Sequence, residues 1–203
     1  VTLVAVSKTA GVEMIREAMA AGQTDFGENR SNELAVKIEE VGPGPRWHFI
    51  GRLQHNKVRY IAGKVHLIHS VDRAALGKAI SKHWDGTARI LVQVSTSGEP
   101  TKGGVAPELA EGLVERLLEF GGLEVAGFMT MAPLVADPSE ARPYFKRLAR
   151  LAENLAGRFS EAPIHHLSMG MSQDYEVAIE EGATIVRIGE AIFGSRMQTR
   201  TEN

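Results

Sequence analysis

Along this chain, short runs of β-branched and large apolar residues alternate with longer stretches in which apolar positions recur every three or four residues. The short runs are TLVAV (2–6), TDFG (24–27), WHFI (47–50), VHLIHSV (65–71), ARILVQVS (88–95), LEVAGFM (123–129), IHHLSM (164–169) and TIVRIG (184–189), and they read as strands. Between them the helical period runs through GVEMIREAMAAG, NELAVKIEEVG, DRAALGKAISKHW, PELAEGLVERLLEFGG and SEARPYFKRLARLAENLAGRF, several closed by the glycine that favours a helix C-terminus. No hairpin signal interrupts the alternation, so each strand is followed by a helix. This pattern predicts one (β/α)8 TIM-type barrel of parallel strands over residues 1–203, with a doubly wound open sheet as the competing arrangement. The tail TRTEN (199–203) reads as frayed.

Composition then narrows the partners. With 43% hydrophobic and 24% charged residues, a chain of 203 residues can bury one full core. A net charge of -2 and the lack of any lysine or arginine run give no footprint for nucleic acid or a membrane surface, which favours a small-molecule partner. The absence of cysteine removes disulfides, thiolate nucleophiles and cysteine metal sites together. No stretch reaches the roughly 18 apolar residues that span a bilayer. A cytoplasmic monomer is expected. The histidines are scattered without an HExxH pattern, and His165 and His166 would face opposite ways on a strand, so core or pocket roles are favoured over a metal. Trp47 and Phe49 alternate along a strand and read as barrel packing. SGEPTKGG (97–104) lacks the P-loop pattern and reads as a mobile loop.

In a barrel of this kind, chemistry collects where the strands end. The predicted ends carry Lys8, then Gly27-Glu28-Asn29, Gly51, Ser70, Thr96-Ser97, Met129-Thr130-Met131, Ser168-Met169-Gly170-Met171-Ser172 and Arg187-Ile188-Gly189-Glu190. Lys8 is the one lysine among them; taken alone it also reads as a solvated loop residue. The seventh end leads into the helical QDYEVAIEEG, and Gly189 precedes AIFG, which can form a short extra helix. Backbone amides at such starts suit a phosphate, although Ser168, Ser172 and Gly189 also fit turn or cap roles.

The motifs AVSKT, FGEN, WHFIG-x-LQ-x-NK, HSVD, SGEPTKGG, GFMTMAP, SMGMS-x-D and RIG-x-AIFG occur in that order across nearly the whole chain. Together they resemble the pyridoxal phosphate homeostasis protein family, similar in fold to the N-terminal barrel of alanine racemase. The resemblance implies that Lys8 forms an imine with pyridoxal 5'-phosphate, and that Ser168 with the backbone of Gly189 and Glu190 holds the phosphate. It implies further that Arg187 faces the pyridine nitrogen, with Asn29 and Met129 also lining the cofactor. Imine formation needs a neutral amine, and burial among apolar strands near Arg187 is expected to activate Lys8. An ion pair of Arg187 with Glu28 or Asp174 is the competing role.

Two positions depart from the family pattern. Arg30-Ser31-Asn32 replace the usual aromatic and glutamine after FGEN, so Asn29 is carried over and Arg30 is not. Glu190 stands where threonine is common; its amide is expected to bind while its carboxylate faces water. The function implied is intracellular holding and carriage of the cofactor, with transient delivery to apo pyridoxal enzymes and no efficient catalysis. The alternatives are a low-activity amino-acid racemase and a Schiff-base or phosphosugar enzyme on the same barrel. Racemisation needs acid–base groups on both faces of the substrate; alanine racemase resemblance puts the second on a tyrosine from a separate domain of a partner subunit. Tyr60, Tyr144 and Tyr175 here all fall in predicted helices, and no further domain is expected.

Overall fold

Side-chain alternation along β1 (Thr2–Val6) shows how the structure, a computed structural model describing residues 1–194, is built. Val4 points into the centre, against Leu67, Leu91 and Met129, while Ala5 points outward into the layer beneath the helices. The same alternation holds in β2 (Asp25–Glu28), β3 (Arg46–Phe49), β4 (Leu67–Val71) and β5 (Ala88–Gln93), and in β6 (Leu123–Met129), β7 (His166–Ser168) and β8 (Ile185–Ile188). All pair in parallel with their sequence neighbours, and β8 pairs with β1, so the sheet closes into a barrel. The open sheet is thereby excluded. The tail TRTEN lies outside the described residues.

The helices are α1 (Val12–Ala20), α2 (Ser31–Val41), α3 (Val58–Ile61), α4 (Ala74–His83), α5 (Ala110–Leu118), α6 (Arg142–Arg158), α7 (Tyr175–Glu180) and α8 (Glu190–Phe193). In α6, Phe145, Leu148, Ala152 and Leu155 recur at helical spacing and bury one face. They join Phe26, Trp47, Phe49 and Phe128 from the strands in the main core. Complete burial of such aromatic and branched side chains contributes on the order of 2–3 kcal/mol each. The layer after β3 is thinner: a 3-10 turn at His55–Lys57 and the four-residue α3 replace a full helix. Leu53, Val58 and Ile61 supply its apolar contacts, and Gly63, at φ 69°, turns the chain back towards β4.

β6 carries a register irregularity opposite Ile90 and Leu91 of β5. Gly127 sits there at φ 150°, where an added Cβ would lie 2.0 Å from the His166 carbonyl oxygen. Only glycine lets β6 approach β7 so closely. Inside the barrel, one apolar cluster of Val4, Leu67, Leu91, Ala126, Met129 and Ile185 fills part of the space. Polar side chains fill much of the rest, and they lead to the strand ends.

Candidate functional site

Lys8 stands two positions past β1, in the same alternation as Val4 and Val6. The burial expected for it is absent: Lys8 is exposed at the barrel rim. Alternation sets which way a side chain points; depth at the rim depends on the neighbouring loops. The turn before it is anchored from below. Ser7 Oγ donates to Glu28 Oε1 at 2.7 Å, and Lys37 Nζ on α2 bonds both Glu28 Oε1 and the Ser7 carbonyl, each at 2.6 Å. Glu28 is therefore committed to Lys37 and Ser7, away from Arg187.

Asn29 follows β2 beside Gly51, where an added Cβ would lie 2.1 Å from the Asn29 carbonyl oxygen. Asn29 Oδ1 is buried and has no hydrogen-bond partner among the described residues. Met129 is buried in the interior apolar cluster beneath the mouth. On the other side of β1, the loops after β7 and β8 are neighbours, because the Arg187 amide donates to the Gly170 carbonyl at 3.0 Å. Asp174 starts α7 and its Oδ1 accepts from the Met171 amide at 2.6 Å. Burial raises the Asp174 pKa, against the Met171 hydrogen bond and the Arg187 charge. Gly189 starts α8 against Val6, which would lie 3.2 Å from an added Cβ. The first amides of such a helix have no intrahelical acceptor. The Glu190 side chain is exposed.

Ser168 lies deeper than the loop it precedes. It is fully buried, and its Oγ is engaged by Arg187 Nη1 at 2.6 Å and His69 Nδ1 at 2.8 Å. The hydroxyl that lies in the loop itself belongs to Ser172. Arg187 is 5% exposed and makes no ion pair among the described residues; its second bond runs from Nη2 to the Thr130 carbonyl at 2.9 Å. Burial pushes its pKa down to about 10, with Asp174 acting in the opposite direction. The other guanidinium N–H groups have no protein acceptor among the described residues.

The histidines, expected in a core or pocket, include two that belong to this site. His69 is fully buried, bonded to Ser168 on one side and His48 on the other, and His48 bonds Asp25. Polar residues in the otherwise apolar WHFI and VHLIHSV runs were the available signal. No group of three potential metal-ligating residues occurs among the described residues. Burial, followed by the charge of His48, holds the His69 pKa well below the ordinary value. A lowered folded-state pKa means that acid gives the unfolded chain a proton the folded one refuses. Stability linked to His69 is thus fully present above pH ~6.5 and is lost as pH falls towards the folded value, by up to about 1.4 kcal/mol per pH unit. Urea unfolding at pH 7.5 and 5.5 should show a steeper loss in wild type than in His69→Gln; equal losses would contradict this.

The glycine-rich loop is fastened, contrary to the expected mobile loop. Gln93 Nε2 donates to the Lys102 carbonyl at 2.7 Å and Lys102 Nζ donates to the Ala132 carbonyl at 2.8 Å. Val105 pairs back onto β5, with its amide on the Gln93 carbonyl at 2.8 Å. The loop so covers the β4–β6 side and leaves Lys8 open.

The rim thus gathers an exposed amine, an orphaned buried amide oxygen, a desolvated guanidinium with spare donors and a glycine-backed helix start. These groups suit a small anionic ligand with a carbonyl. The chain matches the family described as "Alanine racemase, N-terminal domain" over residues 1–197. It is 48% identical over 198 residues to the pyridoxal phosphate homeostasis protein of Aquifex aeolicus, covering 96% of this chain and 86% of that protein. PipY of Synechococcus elongatus, solved with PLP bound, superposes with a TM-score of 0.88 at 34% identity, covering 96% of this chain and 92% of that one. Alanine racemase from Corynebacterium glutamicum shares the fold alone, with a TM-score of 0.78 at 20% identity over 96% of this chain and 57% of that one. Both the ordered motifs and these similarities lead to one conclusion: the chain belongs to the alanine racemase N-terminal domain family and, within it, to the pyridoxal phosphate homeostasis proteins.

Proposed function

We propose that this protein holds pyridoxal 5'-phosphate at the barrel mouth and makes it available to other proteins without efficient catalysis of its own. The observation that carries the reading is Arg187: a guanidinium 5% exposed, with N–H groups lacking a protein acceptor among the described residues, has donors to offer a ligand at the mouth. The cofactor supplies a pyridine nitrogen for that purpose and an aldehyde that can condense with a lysine amine, releasing water. Lys8 provides the amine. Arg187, a donor only, keeps the ring nitrogen unprotonated and so weakens the ring as an electron sink. Gly189 and the amides of Glu190 and Ala191 hold the phosphate, Asn29 lies beyond β1 at the end of β2, and Met129 supports the floor. Ser168 acts on the cofactor through Arg187, at the ring-nitrogen side, since its hydroxyl is already engaged.

Racemisation calls for a second acid–base group, and the tyrosines do not supply it. Tyr60 lies in α3 beneath Lys57 and Arg59, Tyr144 packs from α6, and Tyr175 in α7 turns its hydroxyl to Glu176. Alanine racemisation is expected to stay well below roughly 1 per second when followed by chiral chromatography; an ordinary enzymatic rate would overturn the non-catalytic reading. A phosphosugar Schiff-base enzyme on this barrel would purify colourless, whereas a yellow protein is expected.

Because Lys8 is exposed, an amine arriving from solvent can reach it directly. Loaded protein mixed with an apo pyridoxal enzyme should restore that enzyme's activity. Recovery that survives a scavenger of free cofactor means delivery by contact, and recovery abolished by the scavenger means release into solution. No recovery under either condition would overturn carriage.

A further inference from the structure

Five polar residues inside the barrel form one continuous line. Asp25 Oδ1 meets His48 Nε2 at 2.9 Å, His48 Nδ1 meets His69 Nε2 at 2.9 Å, His69 Nδ1 meets Ser168 Oγ at 2.8 Å, and Arg187 Nη1 donates to Ser168 at 2.6 Å. All five residues are buried. Asp25 opens β2 at the end of the barrel opposite the mouth, where Arg46 and Thr24 also donate to its carboxylate, at 2.6 and 2.7 Å. Burial raises the Asp25 pKa, but the bonds from His48, Arg46 and Thr24 outweigh it and hold the carboxyl well below the usual range.

The two ends of this line have fixed roles. A carboxylate only accepts and a guanidinium only donates. With both imidazoles neutral, the hydrogens then have a single arrangement: His48 donates to Asp25, His69 donates to His48, and Ser168 donates to His69 while accepting from Arg187. With His69 kept neutral and Asp25 ionised, one added proton also has a single arrangement. It enters at Ser168 from the mouth, the former Ser168 hydrogen passes to His69 Nδ1, and the former His69 Nε2 hydrogen passes to His48 Nδ1. His48 ends as the imidazolium beside Asp25, His69 is again neutral as the other tautomer, and Ser168 now accepts from His69 as well as Arg187. Its own hydrogen is freed towards the mouth. No heavy atom has to move, and the charge rises by the one proton taken up.

We propose that Asp25, His48 and His69 are positioning residues for the cofactor site: the proton held along this line sets which way Ser168 donates, and through Ser168 how fully Arg187 is available to pyridoxal phosphate. The inference rests on the cofactor reading above. When Ser168 donates inward it is the better acceptor and holds Arg187 to itself. When it accepts twice, it competes less for Arg187, and the added positive charge favours an anionic phosphate ester. Ligand binding should therefore take up a proton. Burial keeps His69 neutral in both states, consistent with its lowered pKa. The other charged and titratable groups facing the line are His66, whose ring centroid lies 5.5 Å from that of His48, and His166 and Arg89, the last paired with Glu124 at 2.7 Å. Asp174 faces Arg187.

The test uses wild-type protein labelled with 15N-histidine, free of ligand, followed by NMR from about pH 8 to pH 5.5. His69 is expected to change from the Nε2–H to the Nδ1–H tautomer in one step, as the line takes up its proton. A His69 that keeps its Nε2 hydrogen throughout overturns the proposal, as does loss of the step in His66→Gln or His166→Gln. Pyridoxine 5'-phosphate, which lacks the aldehyde and so binds independently of covalent attachment, should raise the midpoint of that step. Its affinity should be about threefold to tenfold more pH-dependent in wild type than in Ser168→Ala, as expected for linkage to one proton. A midpoint unmoved by the bound ester overturns the coupling. Failure of the ester to bind at any pH instead overturns the cofactor reading, and the ring-nitrogen signals still decide the proton switch.

Discussion

Replacing Lys8 by alanine is expected to abolish covalent retention of pyridoxal phosphate entirely. Wild-type protein incubated with the cofactor and then borohydride should carry a stoichiometric adduct, and a peptide map should place it on the segment containing Lys8. The variant should show no adduct and no visible absorption band. Its fold should be unaffected, because Lys8 is exposed and makes no hydrogen bond or ion pair among the described residues. Retention of the adduct by the variant would move the attachment elsewhere and sink the assignment. Non-covalent affinity should survive in part, since Arg187 and the helix start at Gly189 remain.

The second large effect concerns stability. Glu28 is completely buried, and its charge is matched by Lys37, itself 14% exposed, at 2.6 Å. Both Lys37 and Ser7 engage Glu28 Oε1, and the buried Oε2 has no hydrogen-bond partner among the described residues. Lys37→Ala would leave that carboxylate uncompensated inside the protein, and removing one member of a buried pair costs about 3–5 kcal/mol. Urea unfolding should register the loss, and Glu28→Gln added to Lys37→Ala should recover most of it, because a neutral amide tolerates burial better. A loss below about 1 kcal/mol would mean the pair is effectively solvated. Since Lys37 also holds the Ser7 carbonyl, the single variant should load cofactor more slowly as well.

The strands announce themselves because a barrel strand faces the core on one side and the helices on the other, which demands an unbroken apolar run. TLVAV and LEVAGFM match β1 and β6 in full. IHHLSM shrinks to the three residues of β7, where Gly170 at φ 92° bends the chain out of the sheet. The rim residues Lys8, Asn29, Arg187 and Gly189 follow from strand ends plus motif order. Depth did not follow, because whether a rim lysine is covered depends on loops whose course is set by distant contacts such as Lys102 with Ala132. The line from Asp25 to Ser168 was hidden for a similar reason. His69 and Ser168 are 99 positions apart, and only barrel closure makes them neighbours. Likewise the partner of Glu28 sits on the exposed-looking helix α2, chosen by packing geometry rather than by any local pattern.

The loop at residues 97–104 has a kinetic consequence. The Lys102 carbonyl is tied to β5 and the Lys102 amine to the segment after β6, so the loop behaves as part of the wall. With this loop fixed in the wall, exchange has no slow opening of it to wait for. Exchange of the bound molecule should then be governed by collision with an attacking amine, rising linearly with amine concentration and without a plateau. A protein built this way works as a buffer in the chemical sense: its response is set by the pool around it, and it needs no signal to begin.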